Sequence, residues 1–227
     1  MSIKTQILNY KNELPSTVKL VAVSKFKSND AILEAYEAGQ RAFAESRPQE
    51  LRDKAASLPK DIEWHFIGNL QSNKIKYVAP VAKLVHSVSN EKILLELADY
   101  CSKNCIKLDI LIEVFIAKDD TKQGFDSKEL IQLFEKISTD RILCDSINSL
   151  NIRGLMGMAS FTDNADQIRE EFTEISQLFN EIKSIDYKFL PNFDQLSIGM
   201  SGDYKIAIEC GATMVRIGTS IFGERDY

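Results

Sequence analysis

The feature that most constrains the fold is a regular alternation of short apolar segments with amphipathic ones. Eight segments have strand character, and a stretch with helical periodicity or helix-capping residues follows nearly every one of them. Parallel strands need crossover connections, which are usually helices, so eight such units predict a closed parallel barrel. The predicted strands cover residues 20–25, 42–45, 64–68, 84–88, 108–116, 152–158, 195–200 and 213–217.

The predicted fold is therefore of the α/β class, a single (β/α)8 or TIM barrel preceded by an extra N-terminal helix that Pro15 ends. An open doubly wound sheet is the alternative. That fold would carry fewer strands and a glycine fingerprint after the first one, and residues 23–27 contain no glycine. No linker or low-complexity segment divides the chain, so we expect one barrel domain over residues 1–227.

Composition and charge narrow the function classes. The net charge is −5 without a long basic run, which argues against nucleic acid or an anionic membrane as a partner. The N-terminus lacks the apolar core of a signal peptide, and no apolar stretch reaches membrane-spanning length. We expect a cytoplasmic monomer.

The cysteines and histidines do not form a metal-binding pattern. Cys101 and Cys105 are four residues apart, but no second pair completes a site. His65 and His86 each lie in an apolar segment, and we expect them in the walls of the barrel or behind the residues that contact a ligand. A Ser-His-Asp arrangement has no support in the sequence.

Lys25, which ends the first predicted strand, is the first candidate functional residue. In barrels of this kind, functional residues gather at the carboxyl ends of the strands. Apolar neighbours, Val23 and Phe26, would disfavour the charged ammonium and so leave a nucleophilic amine. The alternative is an ordinary lysine that leaves the rim for water.

The last quarter of the chain carries two polar, glycine-containing turns. Phosphate sites in barrels form from the loops after strands 7 and 8, where backbone N–H groups and a helix N-terminus meet the anion. Here those loops are residues 199–203 and 218–220, and they offer the Ser201 hydroxyl and the Gly218 and Thr219 amides. An amine at one strand end and a phosphate site at another suit an aldehyde that carries a phosphate, which describes pyridoxal 5'-phosphate.

Arg216 lies within the eighth predicted strand, among apolar residues. A guanidinium that points inward needs a partner. It would either face the pyridine nitrogen of such a cofactor and hold it unprotonated, or form a salt bridge with Glu45 or another carboxylate at a strand end.

Several segments together resemble the pyridoxal phosphate homeostasis protein family, whose fold is a barrel like the N-terminal domain of alanine racemase. The resemblance runs from about residue 18 to the C-terminus. It rests on residues 21–25 (VAVSK), 64–74 (WHFIGNLQSNK), 86–88 (HSV), 154–156 (GLM), 196–201 (LSIGMS) and 214–223 (MVRIGTSIFG).

This resemblance implies roles for individual residues. Lys25 would be the Schiff-base lysine, and Arg216 would face the pyridine nitrogen. Phosphate would be bound by Ser201, Gly218 and Thr219, and the pocket would be lined by Asn69, Ser87 and Met200. Residues 43–50 (FAESRPQE) depart from the commoner family form, which leaves a cofactor contact by Ser46 unsupported. Lys122 and Gly124 match a lysine-glycine pair of the family whose role the sequence does not explain.

The resemblance also implies a carrier of pyridoxal phosphate and not an enzyme. A racemase of this fold needs a second domain and a second base, and we expect no room for that domain because the chain stops at Tyr227. Apo forms of pyridoxal-phosphate-dependent enzymes would receive the cofactor. Two alternatives remain: a small racemase or lyase that uses pyridoxal phosphate, and a Schiff-base aldolase without a cofactor.

Overall fold

Eight parallel strands close into a barrel in the computed structural model, which describes residues 2–117 and 123–224. The strands pair in the order of the sequence, and β1 also pairs with β8 to close the sheet. The predicted TIM barrel is therefore confirmed. The strands are β1 Lys19–Val23, β2 Ala42–Glu45, β3 Glu63–Phe66, β4 Leu84–Val88, β5 Leu108–Glu113, β6 Leu150–Met156, β7 Gln195–Ser197 and β8 Met214–Ile217.

Helices surround the barrel, and the extra helix α1 precedes it as predicted. The helices are α1 Ile3–Glu13, α2 Asn29–Glu37, α3 Pro48–Ser57, α4 Ile75–Val78, α5 Glu91–Lys103, α6 Ser127–Thr139, α7 Arg141–Ser146, α8 Ala165–Ser184, α9 Tyr204–Glu209 and α10 Thr219–Phe222, and a 3-10 turn at Ser72–Lys74 precedes α4.

Local capping residues define several of these helices. The Ser28 side chain accepts a hydrogen bond from the Ala31 N–H at the start of α2. Asp126 and Glu129 form a capping box at the start of α6, as the sequence predicted. The two short helices α7 and α10 were not predicted, because pieces of four to six residues carry too little periodicity to detect.

The first strand is shorter than predicted. It ends at Val23, so Lys25 does not end the strand but lies in the turn that follows. The reason is local: Phe26 adopts a left-handed backbone with φ of 66°, which an extended strand cannot continue through. Strand β7 likewise stops at Ser197, because Gly199 has φ of 91° and turns the chain.

Apolar side chains form two separate clusters, as expected when strand residues alternate between two faces. The larger cluster joins the outer face of the sheet to the helices. The smaller one contains strand residues almost alone, so it fills the barrel interior. Its buried members are Val21, Ala42, Ala44, Leu84, Leu111, Met156 and Met214.

Above this apolar interior lies a chain of buried polar side chains. The Nδ1 of His65 is 2.8 Å from the Nε2 of His86, and the Nδ1 of His86 is 3.1 Å from the hydroxyl of Ser197. Arg216 donates from Nη1 to the same hydroxyl at 2.8 Å. Each of these four residues is at least 96% buried, since the most exposed, Arg216, has 4% of its surface accessible.

The Ser197 hydroxyl accepts from Arg216, because a guanidinium can only donate. The direction of the two bonds beyond Ser197 is set by the tautomers of His86 and His65. Both imidazoles are neutral, because complete burial lowers the pKa of His65 to about 3 and that of His86 well below its ordinary value. Neighbouring positive charge from Lys19 acts in the same direction on both rings.

In the part of the chain that the structure describes, no helix combines the length and the apolar character needed to cross a membrane. The four cysteines are free thiols.

The neutral histidine pair predicts that stability falls with acid. Below pH 6.5 the unfolded chain takes up a proton on each imidazole and the folded chain does not, so the free energy of unfolding decreases as pH falls toward the folded pKa. Each histidine should cost about 1.4 kcal/mol between pH 7.5 and pH 5.5. His65→Gln keeps a side chain that can donate to or accept from His86, and it removes one titrating ring. Urea unfolding at both pH values should show a pH-dependent loss smaller by about that amount than in the wild type. An identical loss in both proteins would show that His65 titrates normally in the folded state.

Candidate functional site

The eight residues predicted for the site all lie toward the carboxyl ends of the strands, at one end of the barrel. We call this end the mouth. Parallel strands place their carboxyl ends together, so residues far apart in sequence meet there. Five strands contribute: β1 with Lys25, β3 with Asn69, β4 with Ser87, β7 with Met200 and Ser201, and β8 with Arg216, Gly218 and Thr219.

The loops after β7 and β8 form a cradle, which comprises residues 199–202 and 218–220. The Gly218 N–H donates to the Ser201 hydroxyl at 3.4 Å, so the two loops touch. In the described chain, the N–H groups of Thr219 and Ser220 donate to no protein acceptor, because they open the first turn of α10. The cradle thus presents a hydroxyl and open backbone donors in one place.

The backbone requires glycine at position 199 of this cradle and leaves little room for a side chain at position 218. Gly199 has a left-handed backbone, and a Cβ there would lie 2.6 Å from the Cβ of Ala207. A Cβ at Gly218 would lie 3.3 Å from the Cβ of Val23. The β8 loop therefore packs directly on the end of β1, two residues before Lys25.

Lys25 is half-buried and continues the alternation of Val21 and Val23, which belong to or pack against the interior cluster. The register pairs Val21 with Arg216, so Lys25 follows the strand that lies beside β8. An amine and the cradle accordingly flank the same seam of the barrel.

Arg216 is oriented by carbonyl groups. Its Nη1 donates to the Ser197 carbonyl at 2.7 Å and its Nη2 to the Gly157 carbonyl at 3.1 Å. Among the described residues Arg216 forms no salt bridge, so the expected alternative, an ion pair with Glu45 or another carboxylate, is wrong. Burial lowers the pKa of Arg216 to about 10, and the carboxylates of Asp203 and Glu113 oppose that shift from a distance. The group remains a cation at neutral pH.

The two acids near Arg216 are themselves perturbed. Burial raises the pKa of Glu113, against the effect of hydrogen bonds from Gln123 at 2.9 and 3.1 Å. Burial also raises the pKa of Asp203, against a hydrogen bond from the Met200 N–H. A basic group and two acidic groups therefore lie close together at this end of the barrel, and two of them, Arg216 and Glu113, are at most 4% exposed.

The remaining predicted residues differ in accessibility. Met200 is 38% exposed and lines a cavity of about 280 Å³ with Glu113 and Gln123. Asn69 is exposed beside Gly68. Ser87 is 1% exposed and donates to the Gly68 carbonyl at 2.5 Å, which makes it part of the wall. Contacts of Asn69 and Ser87 with a ligand stay predictions.

The lysine-glycine pair singled out in the sequence, Lys122 and Gly124, is only partly described by the structure. Lys122 lies outside the described residues. Gly124 lies within them with φ of 115°, and a Cβ there would be 2.8 Å from the Phe115 nitrogen. A close backbone approach explains the glycine of that pair.

Sequence reasoning missed a buried charged cluster behind Lys25. The Lys54 ammonium donates to the Ser24 carbonyl at 2.9 Å, to Glu45 at 2.9 Å and to Glu50 at 3.1 Å. The Ser24 hydroxyl donates to Glu45 at 2.6 Å. The spacing of Glu50 and Lys54, one helical turn apart, and the acidic end of an otherwise apolar β2 were the signals that could have revealed it.

The pKa values of the two acids in this cluster are shifted in opposite directions. Complete burial raises the pKa of Glu45 to about 7, although Lys54 and Ser24 favour its charged form. Partial burial works against ionisation of Glu50, but hydrogen bonds from Phe26 and Lys54 together hold its pKa below the ordinary value. One oxygen of Glu45, Oε2, is buried without a hydrogen-bond partner in the described chain.

These groups fit a phosphorylated aldehyde. The cradle supplies donors for an anion, Arg216 supplies a buried cation that can only donate, and Lys25 supplies a primary amine at the same end of the barrel. The donor set matches a phosphate and a ring nitrogen that accepts a hydrogen bond.

A family model and two curated proteins place this sequence among known ones. Residues 2–226 match the family model described as "Alanine racemase, N-terminal domain". A pyridoxal phosphate homeostasis protein of Vibrio cholerae is 42% identical over 217 residues, which cover 93% of this chain and 87% of that protein. The protein of the same name from Haemophilus influenzae is 40% identical over 221 residues, 95% of this chain and 89% of that protein.

Solved structures show the same relationship. PipY of Synechococcus elongatus, solved without and with pyridoxal phosphate (PLP) bound, is 32% identical, with TM-scores of 0.89 and 0.86 over 98% of this chain and 100% of that one. An alanine racemase from Bartonella henselae shares the fold alone, at 16% identity and a TM-score of 0.70 over 99% of this chain and 60% of the racemase. The chain therefore belongs to the pyridoxal phosphate homeostasis protein family, within the group of proteins that carry the alanine racemase N-terminal domain fold.

Proposed function

We propose that this protein binds pyridoxal 5'-phosphate at the mouth of the barrel, holds it through Lys25 as a Schiff base, and takes part in intracellular pyridoxal phosphate (vitamin B6) homeostasis without catalytic turnover. The observation that carries the proposal is the seam between β1 and β8. Lys25 follows one of these strands and the cradle follows the other, and the two loops pack on each other at Val23 and Gly218.

Each group has a role in holding the cofactor. Ser201, Gly218 and Thr219 bind the phosphate, and Arg216 donates to the pyridine nitrogen. Met200, Asn69 and Ser87 belong to the surrounding wall. When bound, the cofactor supplies an aldehyde for an amine and a ring that withdraws electrons. A donating arginine holds the ring nitrogen unprotonated, which weakens that withdrawal.

The interior polar chain supports a carrier in preference to an enzyme. Proton transfer during turnover needs a group whose pKa lies near the working pH. His65 and His86 are buried, neutral and bonded to each other, so neither is available as an acid or a base. A racemase or lyase that uses pyridoxal phosphate is the alternative function.

The proposal extends to the domain organisation, the oligomeric state, the cellular compartment and the partners of the protein. We infer one barrel domain over residues 1–227 that acts as a monomer in the cytoplasm, and apo pyridoxal-phosphate-dependent enzymes as recipients of the cofactor. The negative net charge supports the inference that neither nucleic acid nor a membrane is a partner.

Replacement of Lys25 by alanine should abolish the visible absorbance that appears on titration with pyridoxal phosphate. The fold should persist, because Lys25 lies in a turn outside both apolar clusters. Lys27→Ala is the matched control: Lys27 lies two residues further on and donates to the Glu224 carbonyl. Borohydride reduction followed by peptide mass mapping should place the adduct on Lys25. Retained absorbance in Lys25→Ala, or an adduct on Lys27 or Lys122 instead, would contradict the assignment.

The phosphate should supply much of the affinity. Loss of a charge-assisted hydrogen bond costs about 1.5–3 kcal/mol, so pyridoxal should bind roughly ten- to hundredfold more weakly than pyridoxal phosphate. Ser201→Ala should narrow this difference, because it removes one donor of the cradle. Dissociation constants from fluorescence or absorbance titrations of both ligands test this. Equal affinity for the two ligands would place the phosphate elsewhere.

The loaded protein should not exchange the α-proton of amino acids. Incubation with a panel of L- and D-amino acids in deuterated water, followed by NMR, should show no protein-dependent exchange. Mixing the loaded protein with an apo-enzyme should restore that enzyme's activity. Exchange at the ~1–1000 s⁻¹ of ordinary enzymes would favour the racemase alternative.

A further inference from the structure

The turn that carries Lys25 is held from behind by two side chains of α3. The Lys54 ammonium donates to the carbonyl of Ser24, the residue before Lys25. The Glu50 carboxylate accepts at 2.9 Å from the N–H of Phe26, the residue after it. The two contacts therefore fix the backbone on both sides of Lys25.

The two side chains also bind each other. Glu50 and Lys54 are one helical turn apart and form an ion pair at 3.1 Å. Lys54 has three N–H bonds to donate, and its three partners are the Ser24 carbonyl, Glu45 and Glu50. Its side chain is only 9% exposed, so this arrangement is shielded from competing water. We call Glu50 and Lys54 the clamp.

The clamp holds a backbone that would not otherwise be favoured. Phe26 is one of two non-glycine residues in the described chain with a left-handed backbone, at φ of 66°. Side chains other than glycine adopt that conformation at a cost, so surrounding contacts must maintain it. The bond from the Phe26 N–H to Glu50 is such a contact, and Arg47 adds a second, with its guanidinium 4.3 Å from the centre of the Phe26 ring.

From this geometry we infer that Glu50 and Lys54 are positioning residues for Lys25. They fix the turn so that the Lys25 amine reaches an aldehyde whose phosphate is held in the cradle. The inference rests on the proposed role of Lys25. Its chemical step is the condensation of a primary amine with an aldehyde, in which a C=N bond replaces C=O and one water leaves with the carbonyl oxygen and both amine hydrogens.

The test variant is the double substitution Lys54→Met with Glu45→Gln. Lys54→Met alone would leave Glu45 as a buried carboxylate without its cation, which endangers folding. The second change removes that charge while Gln can still accept from Ser24. Glu45→Gln alone, which retains Lys54, is the reference background. Lys103→Met, which breaks the exposed pair with Asp99 on α5, controls for loss of a lysine far from the mouth.

Three measurements are made on proteins that unfold cooperatively. The first is the rate of the absorbance rise when pyridoxal phosphate is mixed with excess protein. The second is the affinity for pyridoxine 5'-phosphate, which has the phosphate but no aldehyde. The third, made without any ligand, is hydrogen exchange of the Phe26 and Lys27 amides, of which the first donates to Glu50 and the second to the Ser24 carbonyl.

We expect the double variant to form the Schiff base about ten- to hundredfold more slowly than Glu45→Gln, since misplacement of a reacting group by about 1 Å can cost a hundredfold. Affinity for pyridoxine 5'-phosphate should change less than about twofold, because the cradle is untouched. Exchange of the two amides should accelerate at least about tenfold, as expected when a protecting contact is lost. Lys103→Met should change none of these values.

The substitution Glu50→Gln is a second and milder test of the clamp. Gln can accept from the Phe26 N–H but removes the charge that pairs with Lys54, so its rate should lie between those of wild type and Glu50→Ala.

The outcomes separate failure of this inference from failure of the proposed function. A wild type that forms no adduct on Lys25 overturns the proposed function, and the inference with it. An adduct on Lys25 at equal rates in the double variant and in Glu45→Gln overturns the clamp alone. The clamp would also be overturned if the double variant lost affinity for pyridoxine 5'-phosphate by the same factor as it lost rate of Schiff-base formation. A general loosening of the mouth would then explain both losses.

Discussion

The pairing of β1 with β8 closes the barrel, and the candidate site depends on that closure. These two strands lie almost two hundred residues apart in sequence, yet their register sets Val21 beside Arg216 and Ala22 beside Ile217. The chain leaves β1 toward Lys25 and leaves β8 toward the cradle, so one seam carries the amine and the anion donors. The close approach of Gly218 to Val23 fixes their separation. A Cβ at position 218 would lie 3.3 Å from the Cβ of Val23, a tighter contact than most side chains make.

The barrel interior beneath this seam is shielded from water, since His65, His86 and Arg216 are at most 4% exposed, and charges there interact more strongly than at the surface. Arg216 is buried without a carboxylate partner in the described chain and is held by two carbonyls and a hydroxyl. Burial of a cation costs free energy, and these three hydrogen bonds offset part of that cost. The histidines below it are neutral and extend the hydrogen bonding without adding charge. The guanidinium is consequently the dominant positive charge inside the barrel beneath the mouth.

Much of the architecture could be predicted from periodicity and turn residues, because alternation and crossover helices determine a parallel barrel. Strand ends were less predictable. The end of β1 depends on the left-handed Phe26, and a phenylalanine carries no sequence signal for that conformation. The side-chain contacts inside the barrel could not be predicted either. That His65, His86, Ser197 and Arg216 form one chain depends on the registers of four strands, which a single sequence does not specify.

The contacts of the buried charged cluster next to Lys25 could not be predicted from a single sequence either. The sequence allows Glu45 as a partner for Arg216, because both lie at or near strand ends. Its side chain instead points to the helix side of the sheet, where Lys54 meets it. Arg216 has neutral partners inside the barrel, and Lys54 and Glu50 contact the turn that carries Lys25 from the helix side. In the proposed function Arg216 would lie at the ring of the cofactor and the turn of Lys25 at its aldehyde. Neither the guanidinium nor the turn backbone is a base that could remove a proton, which supports the proposal that the protein retains the cofactor.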